Sequence, residues 1–111
     1  MSGKGWAKII GVILLLVGVL GFFTGDSVLG FMVNPQHNIV HLLTGLIFAI
    51  AGFGSGSAKG VNTWLGIIYI VVAILGFFVA SFASLLAINT ADSWLHLVIG
   101  IISTWVGVKS A

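Results

Sequence analysis

The chain has 111 residues, 59% of them hydrophobic and 5% charged, with a formal net charge of +2. Water-soluble domains carry about 25% charged residues, so this sequence cannot cover a water-facing surface and reads as a membrane protein. Four lysines without an arginine cannot line a phosphate backbone, which excludes a nucleic-acid partner, and the lack of cysteine excludes disulfides, thiolate metal sites and cysteine nucleophiles.

In chain order, the first apolar run covers about residues 6–23 and is broken only by Lys8. No small-residue cleavage site follows it at Thr24-Gly25-Asp26-Ser27, so it reads as a retained helix and not a signal peptide. The second run covers 35–53 and is closed by Gly54-Ser55-Gly56-Ser57-Ala58-Lys59-Gly60, a flexible linker. The third covers about 61–83 and the fourth 90–108. At about 1.5 Å per residue each is long enough for a bilayer core of about 30 Å. The runs lack the alternation of a membrane barrel.

The lysines fall at Lys4 and Lys8, at Lys59 in the loop between helices two and three, and at Lys109. Four spans put all these places on one side, and lysine excess marks the cytoplasmic side. Both termini are therefore expected in the cytoplasm, in the plasma (inner) membrane of a prokaryote. The opposite loops, 24–33 and about 84–88, hold no lysine. The first of them is apolar for a loop and should pack on the outer end of the bundle. Trp6, Trp64 and Trp105 would then form the cytoplasmic aromatic belt and Trp94 the outer one.

A shift of 55 residues lays 5–53 over 60–108 with 14 identities in 49 ungapped pairs. Leu20-Gly21-Phe22-Phe23 returns as Leu75-Gly76-Phe77-Phe78, and Asn34, His41, Gly45 and Gly52 return as Asn89, His96, Gly100 and Gly107. Polar residues and glycines in register point to tandem duplication. Two spans per unit give both copies one orientation, so the expected fold is an all-α four-helix bundle with pseudo-two-fold symmetry along the membrane normal. The whole chain, 1–111, is expected to be one domain. Gly11, Gly18 and Gly25 recur every seven residues in the first helix, answered by Gly66, Ala73 and Ala80 in the third. With Gly45, Gly52, Gly100 and Gly107 they are expected to be helix-packing positions, because helices associate in lipid through close contact along small residues.

Asn34 and Asn89 precede the second and fourth helices as N-caps, with Pro35 at a first helical position and Asp92 at the positive end of the helix dipole. Seven residues past each cap come His41 and His96, roughly 10 Å into the membrane, where an ionisable group is expensive and marks a specific role. Asn34, Asn38, His41, Gly45 and Gly52 share a face, with His37 one turn above His41; Asp92, His96, Gly100 and Gly107 share another. Both imidazoles are thus expected to point inward.

Three roles follow from this placement. The imidazoles can hydrogen-bond across helices and fix their register. They can ligate a b-type haem or a transition metal, with Asp92 orienting the His96 ring from the second shell, although nothing in the sequence requires a cofactor. They can form a proton or solute path with Asp92, for which Thr44, Ser103 and Thr104 are the inner-half candidates. No nucleophile elbow, zinc-protease motif or phosphate loop is present, so no enzyme is expected. The bilayer is the expected surrounding, with self-association or a membrane partner left open.

The stretches Asn34-Pro35-Gln36-His37-Asn38-Ile39-Val40-His41-Leu42-Leu43-Thr44-Gly45 and Asn89-Thr90-Ala91-Asp92-Ser93-Trp94-Leu95-His96-Leu97 resemble those of a bacterial membrane family known as domain of unknown function 4383. The resemblance covers nearly the whole chain and implies four spans. It transfers Asn34, His37, Asn38, His41, Gly45, Asn89, Asp92 and His96 as motif positions and implies no activity.

Overall fold

The computed structural model describes residues 2–54 and 57–109; Ser55 and Gly56 of the linker lie outside the described residues. In order, the elements are α1 (Gly3–Gly21), β1 (Ser27–Val28), β2 (Phe31–Met32), α2 (Pro35–Phe53), α3 (Ala58–Phe78), α4 (Ala80–Leu86) and α5 (Thr90–Lys109). Among the described residues four helices, α1, α2, α3 and α5, are long and apolar enough to cross a membrane. Their 19 to 21 residues span about 28–32 Å. Large apolar side chains such as Leu16, Ile50, Ile67 and Ile101 stay exposed around the bundle, a surface suited to acyl chains and not to water.

Helix ends depart from the hydropathy reading because capping, not apolarity, sets them. Ser2 Oγ accepts from Gly5 N–H at 2.9 Å and starts α1 three residues before 6. The helix closes at Gly21, so Gly25 lies outside it at φ +85° and does not extend the glycine stripe. The third run is not one helix to 83. Val79 adopts an extended conformation (φ −119°, ψ 98°), ending α3 and starting α4. With no Gly or Pro at the break, hydropathy gives no sign of it; the β-branched Val79 is a poor helix former. α4 ends in a Schellman motif, with Ala87 left-handed and Ile88 N–H donating to Ala83 O at 2.8 Å.

The 24–33 segment is also more ordered than a loop. Val28 and Phe31 flank a two-residue turn, Leu29-Gly30, with φ of +52° and +87°, the positive-φ pair of a type I′ hairpin. Val28 and Val33 are buried beneath it.

α1 packs chiefly on α2 and α3 on α5. Glycine allows both approaches: a Cβ on Gly45 would lie 2.8 Å from Leu15 N, and one on Gly100 2.8 Å from Ile70 N. Gly11, Gly18 and Gly52 meet α2 or α1 in the same way, as Gly66 and Gly107 meet α5 or α3. Between the two hairpins sit Ala7, Ile10, Leu14, Phe48, Leu65, Tyr69 and Ile99. Trp6 departs from the expected aromatic belt by turning inward, its Nε1–H donating to Ser103 Oγ at 2.8 Å. Asn62 Nδ2 donates to Gly3 O at 2.9 Å.

Candidate functional site

His37 and His41 stand one turn apart on α2, a spacing that puts both side chains on one helix face. Asn34 fixes where that helix begins, its Oδ1 accepting from His37 N–H at 2.8 Å. His96 comes from α5, whose start carries a reciprocal cap: Asn89 Oδ1 accepts from Asp92 N–H at 2.8 Å, and Asp92 Oδ2 accepts from Asn89 N–H at 2.9 Å. The asparagines also reach across the bundle. Asn34 Nδ2 donates to Leu85 O at 3.0 Å, and Asn89 Nδ2 to Gly30 O at 3.2 Å.

The helices bring three imidazoles together in the half of the bundle that carries the β-hairpin and α4. Exposures are 2% for His37, 5% for His41 and 4% for His96. Ring centroids lie 4.3 Å (37 to 41), 5.4 Å (37 to 96) and 5.8 Å (41 to 96) apart. One ring nitrogen from each lies within 4.8 Å of the others, and the Nε2 atoms of His37 and His41 are 3.1 Å apart. A proton between those two satisfies one nitrogen on each ring. The three Nδ1 atoms are buried without a partner, although the carbonyls of Met32, Leu86 and Ala87 approach His37. Buried ring nitrogens left unpaired in this way cost about 1–3 kcal/mol each and call for an ion or ordered water.

Tyr69 on α3 packs its ring edge-on to His96, centroids 5.4 Å apart, and its hydroxyl lies 2.7 Å from Thr44 Oγ1. Thr44 gives its single proton to Val40 O at 2.8 Å, so Tyr69 donates to Thr44. The imidazoles, Tyr69 and Thr44 face a cavity of about 100 Å³ otherwise walled by Val40, Ile68, Val72, Leu86 and Ile88.

Of the residues singled out from sequence, His41 and His96 are thus brought together. Asp92 is not among the side chains that converge with them; its carboxylate serves the α5 cap and, with His41, lines a separate cavity beneath the β-hairpin. Ser103 sits farther in, bound to Trp6. Sequence reasoning placed His37 above His41 without making it a ligand, though its spacing of four residues was a readable signal. Tyr69 carried no signal beyond being the single tyrosine.

A bundle of apolar, membrane-length helices around an imidazole cluster is a polytopic helical membrane protein. The chain belongs to the family described as Domain of unknown function (DUF4383), whose model matches residues 4–109. No curated protein and no solved structure matches it.

Proposed function

We propose that this chain is a small, non-enzymatic membrane protein that binds one transition-metal ion through His37, His41 and His96. The observation that carries the proposal is the convergence of one ring nitrogen from each histidine within 4.8 Å. Imidazole suits zinc, copper, iron and nickel. Metal–nitrogen bonds of about 2.0–2.1 Å put tetrahedral donors about 3.3–3.4 Å apart, and the closest pair here is at 3.1 Å. Haem fits poorly: the cavity is about 100 Å³, against about 300 Å³ or more for small-molecule sites.

The other roles lack the contacts they require. The side-chain hydrogen bond of the imidazoles, His37 to His41, stays within α2, and the carbonyls that approach His37 belong to Met32, Leu86 and Ala87, outside the four spanning helices, whereas register-fixing needs a bond between spanning helices. A conduction path would have to cross Ile10, Leu14, Phe48, Leu65 and Ile99, which separate the histidines from Ser103 and Trp6.

We read both termini as cytoplasmic and the membrane as the plasma membrane of a prokaryote. Lys4 Nζ reaches Ala51 O and Gly54 O at 3.0 Å, and Lys59 Nζ reaches Gly107 O at 3.0 Å, so the lysines complement the C-terminal ends of α2 and α5 on one side. Tandem duplication with a pseudo-two-fold axis along the membrane normal accounts for the crossed asparagine bonds. Asn34 to Leu85 and Asn89 to Gly30 interchange under the 55-residue shift, the i-to-j, j-to-i pattern of a two-fold contact.

The metal proposal is tested on full-length protein in detergent, exposed to Co²⁺, Zn²⁺ or Cu⁺ and desalted before elemental analysis. One ion per chain, lost in His37→Ala and His96→Ala, is expected. A parent protein that stays metal-free with its helical circular dichroism intact overturns it.

A further inference from the structure

We infer that the ion this site selects is monovalent copper, held by three neutral imidazoles; the inference rests on the metal-binding reading above. Charge decides the choice. The chain has two acidic side chains, Asp26 and Asp92. Asp26 is exposed in the outer segment, and Asp92 is outside the converging group with Oδ2 on Asn89 N–H. No carboxylate is placed to ligate an ion bound at the histidines, Asp92 sharing with His41 only the wall of the cavity beneath the β-hairpin.

The ion's charge would sit among side chains 2–5% exposed. The cost of taking an ion out of water rises with the square of its charge, so a divalent ion is penalised about four times as much as a monovalent one. Zinc sites that manage with three histidines take an ionisable water in the fourth position. Here the open side of the cluster faces Val40, Ile68 and Val72. The hydroxyls that line it are those of Tyr69, whose proton is committed to Thr44, and of Thr44, whose proton goes to Val40 O. No carboxylate lines that side, so a fourth donor there would be a water held against largely apolar walls. Zinc requires four ligands in its structural sites, whereas a filled-shell monovalent copper ion is content with three, and copper accepts imidazole.

The test is an anaerobic competition titration of the full chain in detergent, with bicinchoninate as the Cu⁺ competitor and a chromophoric chelator for Zn²⁺. One Cu⁺ per chain is expected, bound more tightly than Zn²⁺. Removing a ligand should cost more than the 10–100-fold typical of outer-shell changes, so His96→Gln lowers Cu⁺ affinity by at least about 100-fold. X-ray absorption of the loaded parent protein, which needs no variant to fold, should report three nitrogen donors and no sulfur. Should Zn²⁺ or Co²⁺ occupy the same histidines more tightly than Cu⁺, monovalent selectivity is overturned while the metal site stands. If none of the three ions binds, both fall.

Discussion

Asn34 does two jobs with one side chain. Its Oδ1 caps α2 at His37 N–H, and its Nδ2 bonds to Leu85 O on the other hairpin. Asn is a favoured N-cap for the first reason alone, which is why the cap could be read from the sequence and the cross-bundle bond could not. Two substitutions separate the roles. Asn34→Ser keeps a cap but loses the bond to Leu85, and should cost about 0.5–1.5 kcal/mol, the net worth of a hydrogen bond. Asn34→Ala loses both and should cost roughly a further 1 kcal/mol. Chemical unfolding in mixed micelles, followed by circular dichroism, measures the difference. Equal losses would mean that the cap contributes nothing to α2.

At the scale of the element, close helix approach is what the glycines make possible. Lipid tails are as apolar as leucine, so helices in a bilayer gain little by hiding apolar surface and must gain by contact. Gly45 lies against α1 and Gly100 against α3, each without room for a methyl group beside a backbone nitrogen. Gly45→Val and Gly100→Val should each destabilise the protein by about 1–3 kcal/mol through overpacking. Leu43→Val, on a residue 57% exposed to the bilayer side, should change stability by less than about 0.5 kcal/mol. Thermal unfolding in detergent compares the three. A Gly45→Val protein as stable as the parent would remove the close-contact account of α1–α2 pairing. The break at Val79 belongs to the same scale: it releases α4 to lie at the β-hairpin end of the bundle, where Leu86 and Ile88 wall the imidazole cavity.

For the whole molecule, the lysines and the outer elements predict an orientation. A cysteine replacing Ser57 should react with a membrane-impermeant thiol reagent only after cell lysis, and one replacing Asp26 should react in intact cells. The opposite pattern reverses the topology. The four apolar runs, the caps Asn34 and Asn89, and the glycine positions were legible in the sequence because each follows from local chemistry: the length that spans a bilayer, the side chain that satisfies a free N–H, the residue with no Cβ. His41 and His96 were legible as buried polar groups for the same reason, since their depth follows from their distance to a cap. What they face was not legible. The joining of His37 to the pair, the edge-on Tyr69, the loss of Asp92 to a cap and the inward turn of Trp6 depend on how one hairpin is set against the other. Contacts between residues 25 to 97 positions apart, such as Thr44 with Tyr69 and Trp6 with Ser103, leave no trace in periodicity or composition. Only the tertiary packing decided them, because side chains that meet across helices are chosen by the rotation and depth of whole helices and not by their neighbours in the chain.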